Sequence, residues 1–197
     1  MSGPATALLD ANVLYSNHLR NLLLQLAQND VFNARWSERI EQEWLGATQP
    51  PTRDRIAERT IPLIRTWFAE ALVAGFDPER AIGGTDPKDR HVASAAAVIA
   101  PCILVTNNLK HFDFAALAAL GVTVRSPDDF LTELFDANPA LVDAVTREAA
   151  ANLTRSTPSW DEYLTALAER HGLPKLVWRL RSWEPPDIEE LAKPEGL

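Results

Sequence analysis

Cysteine occurs once in this 197-residue chain, methionine once and tyrosine twice. The single Cys102 can close no internal disulfide, which fits a chain that works in a reducing cytoplasm, and its apolar neighbours mark it as a buried structural thiol. No uninterrupted apolar run approaches the roughly 20 residues of a membrane-spanning helix. The residues ahead of Leu8-Leu9-Asp10 lack the basic and apolar regions of a signal peptide. Basic residues are also in the minority, 19 Lys and Arg against 27 Asp and Glu, for a formal net charge of -8. That balance argues against a general nucleic-acid coat protein, whose affinity comes from neutralising phosphates. It leaves room for a hydrolase that gathers acids around a cation. The four histidines, 18, 91, 111 and 171, have no paired spacing, so no zinc site is expected.

What is present is an ordinary globular composition, 46% hydrophobic and 23% charged. Short apolar runs alternate with helical patterns, which predicts an α/β fold on a mainly parallel sheet. Strands are expected at Thr6 to Leu9, Val31 to Ala34, Ile103 to Thr106 and Val122 to Val124. Helical spacing covers Leu14 to Gln28, a segment from Ser37, and Arg53 to Ala74, with Pro62 marking a kink or break and Gly75 a C-cap. Ala81 to Thr85 is a connector. Asp86-Pro87 then opens a small-residue helix through Ile99. Helices follow at Phe114 to Leu120 and from Ser126-Pro127 through Phe135. After Pro139 only helices remain, near 140–153, 159–170 and 173–183, the second opened by a Ser159/Glu162 capping box. The expected organisation is a unit over 1–136, a helical extension over 137–184 and a proline-containing tail over 185–197.

Ligands of open parallel sheets bind in the crevice outside the carboxyl ends of the strands. Asp10 and Asn12 follow the first strand, Thr106-Asn107-Asn108 follow the strongest one, and Asp89 sits in the first turn before it. Each has a structural reading as well. Asp10 could cap the next helix, Asp86 is explained as a cap, and Asp89 suits a helix dipole. Glu41 and Glu43 flank the apolar stripe of Trp36, Ile40 and Trp44 at similar angles, so periodicity does not choose between them. Trp160, Trp178 and Trp183 read as helix-packing residues. Lys175, Arg179 and Arg181 form either a solvated helix face or an RNA contact.

Taken together, Leu8-Leu9-Asp10-Ala11-Asn12-Val13-Leu14, the Ser37 to Trp44 helix, Asp86-Pro87-Lys88-Asp89 and Val105-Thr106-Asn107-Asn108-Leu109-Lys110-His111-Phe112 resemble, in order, the PIN-domain family. The resemblance spans roughly residues 5 to 135. It implies a PIN-like α/β/α sandwich that hydrolyses RNA with Mg²⁺ or Mn²⁺, as in the VapC-like ribonuclease toxins that a cognate antitoxin neutralises. Carried over by position, the catalytic set is Asp10, Glu43, Asp89 and Asn108, with the first three as metal ligands. Asn108 stands where a fourth acid is expected, so a second metal should bind weakly. Asn12, Ser37 and Thr106 would hold the acids and substrate in place. Arg39 and Lys110 are candidate phosphate contacts. The resemblance also suggests a homodimer. Two other readings stand beside it: a catalytically degenerate PIN fold that binds RNA or protein, and a phosphatase-like hydrolase with a strand-end Asp nucleophile. The latter lacks its second acid, because Asn12 occupies that place.

Overall fold

A computed structural model describes residues 4–153, 157 and 159–185. Of the expected proline-containing tail, residues 186–197 lie outside the described residues. Five strands form one parallel sheet: β1 (Thr6–Leu9), β2 (Asn33–Ser37), β3 (Leu72–Val73), β4 (Cys102–Val105) and β5 (Val122–Arg125), in the order β3-β2-β1-β4-β5. Ala7 pairs with both Ala34 and Ile103, so β1 is central and almost wholly buried. Such burial on both faces is why β1 and β4 read as continuous apolar runs rather than alternating ones. The order reverses between β1 and β4, and their carboxyl ends flank the switch point at which this architecture opens a crevice.

The helices are α1 (Ala11–Leu14), α2 (Asn17–Gln28), α3 (Glu38–Ala47), α4 (Thr52–Arg55), α5 (Ile61–Trp67), α6 (Arg90–Val98), α7 (Phe114–Ala118), α8 (Pro127–Ala137), α9 (Pro139–Ala151), α10 (Trp160–His171) and α11 (Pro174–Ser182). They flank the sheet as the α/β/α reading expects. Among the described residues no helix is long and apolar enough to cross a membrane. Local chemistry explains most starts: Ser16, Ser37, Ser126 and Ser159 each accept a backbone N–H from the first turn, and Ser159 with Glu162 completes the capping box.

Two expectations around residue 70 are corrected. The helical pattern ends at Trp67, not Ala74, because Leu72–Val73 pairs with Trp36–Ser37 as an edge strand. Gly75 takes a positive φ of 77° after that strand instead of capping a helix. Next to Pro62 the α-helical hydrogen-bond pattern is interrupted. A single π-helical segment, Ile56–Thr60, joins α4 to α5, and Ile61 donates to the Ile56 carbonyl one residue before the proline that has no N–H to give. A third correction concerns Trp178, which is 60% exposed, with the Arg179 guanidinium 4.8 Å from its ring. Trp183 does pack, edge-on to Phe135, and Trp160 stacks with Tyr163.

The last three helices are tied to the rest of the chain through α8 and α2. Phe130 meets Phe32 edge-to-face at 5.0 Å, while Asp128 reaches α11. Leu173 cannot cap α11, and the Asp128 carboxylate replaces it, accepting from Lys175 N at 3.1 Å and Leu176 N at 3.0 Å. Lys175 and Arg179 pair with Asp129 and Asp136 of α8 across the helix seam. Asp128→Ala should lower stability by about 2 kcal/mol, the cost of two charge-assisted cap bonds lost from a buried carboxylate. Urea unfolding checks this, and Asp128→Asn, which keeps one acceptor, should fall between.

Candidate active site

Asp10 closes β1 and is 3% exposed. Its carboxylate accepts from Ala11 N at 2.6 Å and from Thr106 Oγ1 at 2.7 Å, and the Asn12 amide bonds to the same oxygen as the threonine. Asp10 therefore does cap α1, yet an ordinary cap sits at the surface. This one is buried at the switch point. Thr106 also accepts from Asn12 Nδ2 and from Asn108 N, and Asn12 Oδ1 accepts from Asn107 N at 2.9 Å. The ends of β1 and β4 are thus bonded to each other through Asn12 and Thr106. Burial raises the Asp10 pKa above the usual carboxylate range despite these hydrogen bonds, and the charge of Asp89 adds to the rise.

Glu43 is carried there by α3. Ser37 makes no hydrogen bond to the acids among the described residues; buried at the end of β2, it caps α3 through Ile40 N at 3.2 Å and so fixes the helix on which Glu43 stands. The two glutamates differ through a residue 24 positions from the first. Glu41 is buried against Arg65 in a close ion pair, whereas Glu43 feels the charges of Asp10 and Asp89, although Asp10, Glu43 and Asp89 do not converge within 4.8 Å as Asp86, Asp89 and His111 do. The pKa of Glu43 is raised, first by burial, with Arg39 opposing and the charges of Asp10 and Asp89 adding. Arg39 lies 3.7 Å from Glu43 and 3.3 Å from Glu79, so its cation faces carboxylates. Lys110 is exposed.

Asp89 ends a 3-10 turn, Pro87–Asp89, that Asp86 caps by accepting from Lys88 N. Its partner was not legible in sequence: His111 Nδ1 lies 3.0 Å from Asp89 Oδ2. Asp86, Asp89 and His111 each place a potential ligand atom within 4.8 Å of the other two. Asn108 contributes its backbone, donating to Thr106 and accepting from His111 N, while its side chain has no hydrogen bond among the described residues. A second histidine, His91, is buried with Nε2 3.0 Å from Glu43 Oε1, and burial lowers its pKa to about 4. The one sequence hint was an imidazole inside the small apolar run of α6, where it needs a polar partner.

The two loops bearing these groups are laced together. Asp86 N donates to His111 O at 2.8 Å, Gly84 N to Asp113 Oδ2 at 2.9 Å, and Asp113 N to Thr85 Oγ1 at 3.3 Å. Gly83 has a φ of 54°, and a Cβ there would meet Asp113 Oδ2 at 2.3 Å, so the close approach requires glycine.

Residues 127–182, which span α8 to α11, match the family model described as VapC50 C-terminal domain. A curated protein of Mycobacterium tuberculosis (strain ATCC 25618 / H37Rv), named "Putative ribonuclease VapC50", is 38% identical over 66 residues, or 34% of this chain. The match covers only 39% of that relative's length. No solved structure matches the chain significantly. In its parallel α/β/α fold and in its C-terminal helices, the chain resembles the VapC-type PIN-domain family.

Proposed function

We propose that this chain is a metal-dependent endoribonuclease, the toxin of a toxin-antitoxin pair that works in the cytoplasm. The observation that supports the reading is electrostatic: the pKa values of Asp10 and Glu43 are raised first by burial and further by the charges of neighbouring acids, Asp89 acting on both. Such a group is costly without a counter-charge, and its oxygen donors suit Mg²⁺ or Mn²⁺. Asp10, Asp89 and Glu43 would hold the cation, with His111 and Asp86 beside Asp89 adding a nitrogen and a further oxygen donor. The cation supplies Lewis-acid stabilisation of charge on the phosphodiester. Thr106 and Asn12 fix the Asp10 carboxylate, and Ser37 fixes the helix of Glu43, so the acids meet substrate in a set geometry.

A protein partner is supported by a cleft of about 970 Å³ between α2 and the α4–α5 arm, apart from the acids, around which Tyr15, Leu63 and Trp67 are exposed. An antitoxin or a second copy of the chain could bury them, and size-exclusion with and without the product of the neighbouring gene separates the two.

The purified chain should cleave structured RNA with Mn²⁺ or Mg²⁺ and stop when EDTA is added. Asp89→Asn should lower the rate about a hundredfold or more, the equivalent of about 3 kcal/mol of lost charge stabilisation. Cleavage indifferent to EDTA, or RNA binding with no cleavage, would leave the degenerate binding module as the better account.

A further inference from the structure

Glu43 stands on a helix surface, its side chain 41% exposed, and the charges of Asp10 and Asp89 both oppose its ionised form. Something must keep the carboxylate from turning out to solvent. Arg39 is a poor restraint. It is itself 43% exposed, sits 3.7 Å from Oε1, and shares its charge with Glu79.

His91 is different in kind. It is 1% exposed, fixed in the first turn of α6, and its Nε2 lies 3.0 Å from the same Oε1. Its Nδ1 is buried without a partner. A proton on Nδ1 would leave a buried N–H unsatisfied, so the favoured tautomer carries its proton on Nε2, facing Glu43. Among Val92, Ala93, Ala95 and Ala96, an apolar side chain would fill the space without burying a polar nitrogen. The imidazole is explained by what it does for the glutamate.

We infer that His91 is a positioning residue: it presents Nε2–H to Glu43 Oε1 and holds that carboxylate in the cleft. Oε2, which has no hydrogen-bond or ion-pair partner among the described residues, is then left for the cation. Outer partners of metal-binding carboxylates commonly change affinity 10- to 100-fold, and His91 fills that place here.

This inference rests on the nuclease reading, and calorimetric Mn²⁺ titration of the full chain separates the two. His91→Leu, which keeps the packing, should weaken Mn²⁺ about tenfold or more. His91→Gln, whose amide nitrogen reaches about as far as Nε2, should restore affinity to within about threefold of wild type. His91→Asn, which is too short, should not. In a Glu43→Gln background, His91→Leu should have no further effect, because the two act as one unit. A purely structural histidine predicts equal losses for Gln and Asn, tracking thermal stability and not Mn²⁺ affinity; that result overturns the inference. If His91→Leu does not fold, the Gln and Asn pair decides. Wild-type Mn²⁺ affinity in both His91→Leu and His91→Asn, with binding still lost in Asp10→Asn, overturns the positioning role alone. Equal Mn²⁺ binding by wild type and Asp10→Asn overturns the nuclease reading and this inference with it.

Discussion

Asp10→Asn should abolish RNA cleavage, by more than about a hundredfold, while raising the melting temperature of the metal-free protein. The two effects have one cause. Burial raises the folded-state pKa of Asp10 above its unfolded value, so the fold prefers the neutral carboxyl. Its stabilising contribution is fully present below the unfolded pKa and is lost as pH rises through the folded one. Above both values that contribution is gone, so the metal-free wild type is less stable there than at acid pH. Asparagine with its oxygen in the Oδ2 place still accepts from Thr106 Oγ1 and Asn12 Nδ2 and gives up only the Ala11 N bond made to Oδ1. Scanning calorimetry in EDTA should show the variant more stable at pH 7, with the gap closing towards acid pH. Added Mn²⁺ should reverse the order, since ligand at about 100 times Kd stabilises the binding-competent chain by about 2.7 kcal/mol. A variant less stable than wild type at neutral pH in EDTA would sink this account.

Cutting the chain after Asp136 should leave no cooperatively folded product, even though the sequence suggests a self-contained unit over 1–136. The α9, α10 and α11 helices bury Val142, Val145, Tyr163, Leu164, Leu167, Leu173, Leu176 and Leu180 at 2% exposure or less. At about 1.5–3 kcal/mol per large side chain, an upper estimate, that burial exceeds the whole stability margin of an ordinary domain, about 5–15 kcal/mol. Its other half is the apolar surface of α2 and α8, on which these helices rest. Far-UV circular dichroism that persists without a sharp melt, together with dye binding to exposed apolar surface, is the expected result. A truncated chain that melts within a few degrees of the full protein would make the C-terminal helices a true appendage. The match of residues 127–182 to one family model begins at α8, the helix that also packs on Phe32 beside the sheet, and so cuts across that division.

Where sequence and structure agree, the signals are local. Four-residue apolar runs mark β1 and β4 because those strands are covered on both faces. Serine caps and the Asp86-Pro87 pair mark helix starts because they act within one turn. Elsewhere the deciding partner lies far along the chain. The edge strand Leu72–Val73 is two residues long, too short for any periodicity, and continues the helical spacing before it. Glu41 and Glu43 are equivalent on a helical wheel until Arg65 takes one of them. His111 has no ligand spacing, since it meets Asp89 only when the β4 loop folds back on the loop before α6. Trp178 occupies a helix that packs on one side only, and its position on the other face depends on where α8 lies.

The lacing between residues 84–86 and 111–113 bears on how such a site could be switched off. With Asp86, Asp89 and His111 held in one braced unit, and Asp10 tied to Thr106 across the strand ends, little slack remains for a distant event to spread the acids apart. Disarming the protein by distortion would require breaking several hydrogen bonds together. On the proposed nuclease reading, control is cheaper by competition at the mouth of the crevice: an inhibitor would need only to cover the opening or offer a bound cation a rival ligand. Lifting that control returns a centre already in its working shape.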